Sequence, residues 1–535
     1  MPASRRSALL LAVALVAPAA LTGQTLRAPD ARRIDVLFAD QNKPHVPGCA
    51  LGVMRNGTLA YGRGYGWADL ERNVPITTAT LFDIGSTSKQ FAAASISLLV
   101  AEHKLSYADD VRKYIPELPE YGAPITIDNL MRHTSGLRDY TGLLVLAGHT
   151  LEEATTDSQA LARIVRQRHL NFPTGSKYEY SNTGYFLLSV IIQRVTGKPL
   201  ADFARERIFL PLGMTHTRYR NHAAMLIPNR ALGYAPDDSG GFRNSMSNWE
   251  QTGDGAVQLS IDDALKWDEN YYHPRVGGAQ MVREMQTRGT LANGDSISYA
   301  RGLFIGHYRG LRRVRHGGDW VGYHAAYSRF PDQHTSVMIL CNSDGIAPSD
   351  LADKVSDIVL AKSFTEKAAS IAAAGEEKVA PGVSAKALDA SRLTGSYYAS
   401  SNDEVVRIVK RDTALVLEFV GRSLPLHLIA PATYAVSGLP VTVEFVADGN
   451  APAHAVRLRV ASELRAEAER FTATTPDEAA LRQFAGSYYS PELGVTWPMA
   501  VDGDHLVLRN EGSELVDISG ALSPAMKDAF TAGGG

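Results

Sequence analysis

The 535-residue chain reads as an α+β protein: one antiparallel sheet supplied by both ends of a large unit, wrapped around a helical insert and followed by a smaller antiparallel, β-barrel-like region. Three features predict this. Alternating apolar runs occur near 49–70 and again at 311–342, the stretch from about 140 to 300 is mainly helical in pattern, and "LTGSYYAS" at 393–400 returns as "FAGSYYSP" at 484–491. At this length two or three cores are expected rather than one.

In chain order, "MPASRRSALLLAVALVAPAALTGQ" has two arginines, an apolar stretch too short to span a bilayer and the small triplet Ala17-Pro18-Ala19, the layout of a secretory signal peptide over 1–23. Leu21-Thr22-Gly23 resembles a lipoprotein cleavage box, but Gln24 stands where the lipid-accepting Cys is needed. An exported, periplasmic or secreted protein is expected, with no integral membrane segment once the signal is removed. "RRIDVLFAD" suits a short helix. Asn56-Gly57 between "CALGVMRNG" and "TLAYGRGYGWADL" predicts a tight hairpin, because both turn positions need positive φ. A helix is expected over Gln90–His103; Ser106 with Asp109 reads as a helix cap, and so does Thr126 before "IDNLMRHTSGL". "YFLLSVIIQRVTG" is a helix ending at Gly197, ahead of Pro199. "LRRVRHGGDW", "VGYHAAYSRF" and "SVMILCN" return to strand, which places the large unit at 24–365. The Ala-rich, Gly/Pro-punctuated 366–388 suits a linker. Two related β units follow at 389–475 and 476–535, because Leu415-Val416-Leu417 and Leu506-Val507-Leu508 fall at the same offset after Gly395 and Gly486. The second copy lacks counterparts of "VTVEFV" and "AVRLRV", so a truncated unit with an open edge is expected.

A formal charge of −3 leaves no surplus of Lys and Arg to neutralise a phosphate backbone or coat an anionic bilayer, which argues against nucleic acid and lipid partners. Cys49 and Cys341 are the two cysteines, each inside an apolar run. An oxidising compartment permits a disulfide. Two buried free thiols are nonetheless the expectation, since nothing in the sequence fixes their separation.

Candidate chemistry begins at "TLFDIGSTSKQF". Ser86 stands at a helix start, where unpaired N–H groups stabilise negative charge, and Lys89 lies one turn later on the same face. A Ser hydroxyl needs a base to become a nucleophile, and a Lys amine serves only if its pKa is depressed. On these residues alone the plainer reading is a capped helix followed by a solvated lysine. Two further stretches change the weighing. "FPTGSKYEYSNTGYFLLSV" puts Tyr180 and Asn182 in a turn before an apolar helix, and "RVRHGGDWVGYH" puts His316, Gly317 and Gly318 at the end of a strand, with Asp319 next. A second Y-x-N, Tyr219-Arg220-Asn221, lacks the preceding F-P-x-G turn and the following apolar helix.

S-x-x-K, Y-x-N and H-x-G in this order resemble the serine β-lactamase and penicillin-binding protein superfamily, and most of all the branch holding class C β-lactamases, D-alanyl-D-alanine carboxypeptidases, D-aminopeptidases and related esterases. The likeness covers about 30–362 and includes "ITIDNLMRHTSGL" and "GDGAVQLSIDDALKWD". It implies a β-lactamase/transpeptidase-like sheet with flanking helices, and a tail similar to the β-barrel domains appended to some of these hydrolases. Carried over by position, Ser86 is the nucleophile, Lys89 helps to deprotonate it and Tyr180 relays a proton to the leaving group. Asn182 holds Lys89 or the substrate amide, and His316 hydrogen-bonds the Tyr180 region or the substrate beside Gly318. The N–H groups of Ser86 and Asp319 form the oxyanion hole. His133 reads as structural; H-E-x-x-H and G-x-S-x-G do not occur, and neither metal nor cofactor is implied.

Many relatives carry Lys-Thr-Gly, whose Lys attracts a substrate carboxylate. His316-Gly317-Gly318 should do so poorly, although Arg313 and Arg315 flank it. The expectation is a small-molecule ester or peptide-like amide in preference to a β-lactam. The rival reading is a catalytically inert module that binds cell-wall peptide, and a further one makes the tail a lipocalin-like binder.

Overall fold

The computed structural model describes residues 25–366 except 238, and 389–532 outside 400–403, 413, 420–421, 437–440, 461–462, 473–476, 504, 509–520 and 527–528. The expected signal peptide and all but the first residue of the expected linker lie outside these residues. β1 (Cys49–Arg55) and β2 (Thr58–Tyr65) form the predicted hairpin, with φ of 50° at Asn56 and 74° at Gly57. β3 (Phe304–Tyr308), β4 (Leu311–Trp320), β5 (Tyr323–Phe330) and β6 (Thr335–Cys341) arrive from the other end of the unit. Together they make a six-stranded antiparallel sheet in the order β3-β4-β5-β6-β1-β2.

Period-2 alternation sorts this sheet into two faces. Leu51, Val53, Val337 and Ile339 pack beneath α1 (Ala28–Leu37) and the helix Pro348–Val359. Ala50, Met54, Met338 and Leu340 face the main core on the other side. In-register pairing of β1 with β6 sets Cys49 opposite Cys341 at a Cα distance of 4.1 Å, and the two are joined in a disulfide. This corrects the expectation of free thiols. The register between strands whose cysteines lie 292 residues apart is a tertiary property that neither local sequence contains.

At the centre of the main core lies α2 (Lys89–Ala101), every residue of which from Lys89 to Leu99 is buried. A helix hidden on all sides carries no polar stripe, and this one has Ala and Leu where a surface helix has charges. α3 (Asn182–Thr196) packs across it and ends at Gly197 in the left-handed conformation, as predicted. Thr126 forms the expected capping box, with Asn129, on the helix Ile127–Met131. Ser106 and Asp109, read as a helix cap, instead close a turn in which Asp109 Oδ2 accepts from the Ser106 N–H at 2.8 Å. Only the three-residue turn Val111–Lys113 follows, because Pro116 and Pro119 deny a longer helix its N–H donors.

Eight antiparallel strands between Gly395 and Phe471 close into a barrel, and five between Gly486 and Ala532 form an open sheet. Gly395 and Gly486 open the first strand of each, and the two Leu-Val-Leu triplets lie in the third. Tyr397 is wholly buried, whereas its counterpart Tyr488 is 44% exposed. The turn after Ser490 rests on the helical insert: Glu492 pairs with Arg138 and accepts from the Arg168 N–H at 2.8 Å, and Trp497 Nε1 donates to Leu146 O at 3.2 Å. Among the described residues, no helix is long and apolar enough to cross a membrane.

Candidate active site

Ser86 sits in a 3-10 turn, Gly85–Ser88, that runs straight into α2, so Lys89 is the first residue of the helix. Two glycines bring β4 against this turn. Gly85 has φ 47°, and a Cβ there would lie 2.8 Å from the Asp319 nitrogen; a Cβ on Gly318 would lie 1.9 Å from Ile84 O. The Asp319 N–H therefore borders the turn that carries Ser86. Nothing larger than glycine fits at Gly318 without moving backbone.

The Lys89 amine is enclosed by three oxygens: Ser86 Oγ at 2.9 Å, Asn182 Oδ1 at 2.8 Å and Asp254 O at 2.8 Å. Burial pushes this amine down to about 8, against the upward pull of the Asp254 and Asp139 carboxylates. A neutral amine has two N–H donors and one lone pair. In the structure the amine donates to all three oxygens; once it loses a proton, Asn182 Oδ1 and Asp254 O still accept and its lone pair is left facing the Ser86 hydroxyl. Asn182 does not cap α3; Ser181 holds the cap position, and the Asn182 main-chain N–H donates to Asp139 Oδ2 at 2.5 Å, leaving its side chain for Lys89.

Tyr180 lies over Lys89, its ring centroid 4.9 Å from Nζ. Its hydroxyl is buried and closes no hydrogen bond of ordinary geometry, though Ser86 is near enough to favour the ionised phenol. Burial is the larger effect and holds the phenol well above its ordinary value. His133, read as structural, stacks on Tyr180 at 4.2 Å and accepts from the Ser181 N–H through Nδ1 at 3.1 Å, which braces the Tyr180 ring. His316 is buried and lies 6.3 Å from Tyr180 ring to ring; its Nε2 bonds the Tyr299 hydroxyl at 2.9 Å. Burial and then the Lys89 charge push the imidazole down to about 3, which keeps it neutral. Its link to Tyr180 runs through Tyr299, whose ring meets Tyr180 edge-on at 6.2 Å.

A cavity of about 100 Å³ opens beside Ser86, lined among others by Tyr140, Asn182, Trp249, Asp254 and Trp320. Asp319 lines it too, while its carboxylate turns to His324 at 2.7 Å. His316 and Tyr180 are not among the lining residues. Tyr219, the competing tyrosine, is buried against Phe209. The sequence reading missed Asp254, Tyr140, Asp139 and Tyr299. Asp254 stands in the "GDGAVQLS" stretch that carried part of the resemblance, and its chemistry was the available signal.

Residues 34–362 match the Beta-lactamase family. A penicillin-binding protein of Bacillus subtilis (strain 168) is 30% identical over 330 residues, covering 58% of this chain and 72% of that protein. A D-aminopeptidase of Brucella canis is 31% identical over 319 residues, covering 59% of this chain and 60% of that protein. Among solved structures, the octameric penicillin-binding protein homologue from Pyrococcus abyssi superposes with a TM-score of 0.58 at 22% identity, covering 82% of this chain and 99% of that one. D-amino acid amidase from Ochrobactrum anthropi SV3 gives 0.54 at 24% identity, covering 63% and 100%.

Proposed function

Because the chain belongs to the Beta-lactamase family and is a serine hydrolase of that family, we propose that it cleaves an ester or a peptide-like amide through an acyl-enzyme on Ser86. The observation that carries this reading is the Lys89 amine, 2.9 Å from Ser86 Oγ and held from two other sides. In the proposed cycle the neutral amine takes the Ser86 proton as Oγ attacks the carbonyl carbon. The N–H groups of Ser86 and Asp319 receive the oxyanion, each worth about 3 kcal/mol. Tyr180 passes a proton to the leaving nitrogen or oxygen as its bond to carbon breaks. Water, losing its proton to the same groups, then releases the acyl group and restores the Ser86 hydroxyl.

The cavity of about 100 Å³ suits a small acyl group, such as one amino-acid residue. A buried, neutral His316 supplies no positive charge for a substrate carboxylate; losing such a charged hydrogen bond costs about 1.5–3 kcal/mol, on the order of ten- to a hundredfold in affinity. On the His316 side, esters and amides that need no neighbouring carboxylate are therefore favoured over β-lactams; Arg220 is the cation that lines the cavity, and likeness to a D-aminopeptidase supports the amide. The proposal includes export, supported by the leader-like residues 1–23 and the Cys49–Cys341 bond, and the division into units at 24–365, 389–475 and 476–535. A fluorophosphonate probe tests the nucleophile, and kinetics with nitrocefin, p-nitrophenyl acetate and D-alanine p-nitroanilide test the substrate. The expected result is an adduct on Ser86 and higher kcat/KM for the ester or anilide. A strong preference for nitrocefin would refute the substrate reading. Folded protein that takes no adduct would favour an inert peptide-binding module.

A further inference from the structure

Lys89 is packed by groups from every side. Tyr180, Asn182 and Tyr185 come from α3 and the turn before it. His133 and His316 lie close enough for the Lys89 charge to lower them. The nearby acids are Asp139 and Asp254. Asp139 is committed elsewhere: Oδ2 takes the Asn182 N–H and Oδ1 takes the Thr141 N–H at 2.9 Å. Asp254 is different. Its Oδ2 accepts the Tyr140 hydroxyl at 3.0 Å, while Oδ1 is the one buried carboxylate oxygen among the described residues without a hydrogen bond. A buried, half-satisfied carboxylate is costly unless a nearby cation compensates for it. The same residue's main-chain oxygen holds the Lys89 amine.

We propose that Asp254 is a positioning residue of the acyl-transfer apparatus: its main-chain carbonyl aims the Lys89 amine, and its buried carboxylate is the fixed counter-charge that keeps that amine a strong proton acceptor. The assignment rests on Lys89 acting as the base for Ser86. Burial by itself weakens an amine as a base, and Asp254 opposes that weakening. Burial in turn pushes the Asp254 carboxyl up to about 6, with Lys89 and then Tyr140 acting the other way. His133 and His316 are held below this range, and Tyr140, Tyr180, Tyr185 and Tyr219 above it. Asp157 is raised to about 6 by burial and then by Asp254. Among the groups packed against it, Lys89 is thus the one that changes charge near pH 8, with Asp254 already ionised; His324, bonded to the Asp319 carboxylate, follows near 9.

Labelling of Ser86 by a fluorophosphonate reports on this without knowledge of the natural substrate. The Oγ–P bond forms, the P–F bond breaks, fluoride leaves and the serine proton passes to Lys89. The second-order labelling rate is measured against pH for the full chain, for Asp254→Asn and for Asp254→Glu. Wild-type labelling should rise through about pH 8. Asp254→Asn should move the midpoint about one unit lower and reduce the plateau about threefold, because the weaker base is free sooner but accepts a proton less readily. Asp254→Glu should restore most of the shift. A slower Asp254→Asn with an unmoved midpoint would overturn the proposal by reducing Asp254 to packing. Should Asp254→Asn fail to fold, coupling supplies the second test: Lys89→Met should raise, by about one unit or more, the pH at which the infrared C=O band of the buried carboxyl disappears. An unmoved band also overturns it. Wild-type protein that is not labelled at any pH would remove the serine-nucleophile reading, and this proposal with it.

Discussion

Replacing Cys49 and Cys341 by Ala removes a bond that closes a loop of 292 residues between two strands of one sheet. In the chain-entropy treatment, a loop of that size limits the unfolded ensemble by about 5–6 kcal/mol at 25 °C, at the upper end of what disulfides contribute. With an unfolding entropy of about 2.1 cal/mol/K per residue, a unit of roughly 340 residues should lose about 8 °C in Tm. Scanning calorimetry of wild type and double variant, each with and without reductant, measures the difference. Reductant should bring wild type to the variant's Tm and leave the variant where it was. Ser86 labelling at 25 °C should persist, because the bond sits on β1 and β6 while the nucleophile's turn is braced by β4. Two thiols titrating in unfolded, unreduced wild type, or a variant Tm within a degree of wild type, would refute the reasoning.

Tyr180→Phe should keep the fold, since the lost hydroxyl closes no hydrogen bond, yet lower kcat/KM on an amide about 10²–10⁴-fold; an ester with a good leaving group, which needs less protonation, should suffer less, and equal losses would argue against proton relay. His324 stands between Asp319 at 2.7 Å and Asp344 at 3.3 Å, and these carboxylates raise it to about 9. A raised folded-state pKa gives stability that is complete below the unfolded value of about 6.5 and is lost as pH rises through 9. With Asp319 largely exposed to solvent, the contribution is roughly 1–2 kcal/mol, and His324→Gln should flatten the decline in urea-melt stability between pH 6.5 and 9. Glu492→Ala removes the acid that meets Arg138, the Arg168 N–H and His169; limited proteolysis should then cut within 472–535 faster while cleavage of the large unit stays unchanged, and unchanged cleavage in 472–535 would show that the contact does not anchor this region.

What was legible in the sequence is what is decided locally. Asn56-Gly57 announced its hairpin because two successive positive φ angles need those residue types, and Gly197 announced the end of α3 for a related reason. Ser86 and Lys89 were readable because one helical turn fixes their separation, and the structure brings Asn182, the first residue of α3, and Tyr180, in the turn before it, to them. Ser106 and Asp109 misled because the same side-chain-to-backbone bond closes a turn as readily as it caps a helix; the prolines downstream decide which. Cys49 and Cys341 were read as thiols because their meeting depends on a register between distant strands. Asp254 was overlooked for a similar reason. Its neighbours Lys89 and Tyr140 come from segments 165 and 114 residues away, and only the packed core shows a carboxylate oxygen left without a partner.

The paired Gly-Ser-Tyr-Tyr segments meet opposite fates: Tyr397 is sealed inside, and Tyr488 faces water. Curvature explains the difference. A sheet that bends round to meet itself gives every strand an inner side, so alternate residues are hidden whatever the segment spells, whereas a five-stranded ribbon offers shelter only where something else lies over it. A smaller side chain at position 488 should therefore be tolerated, where the same change at 397 leaves a hole the size of a phenol ring.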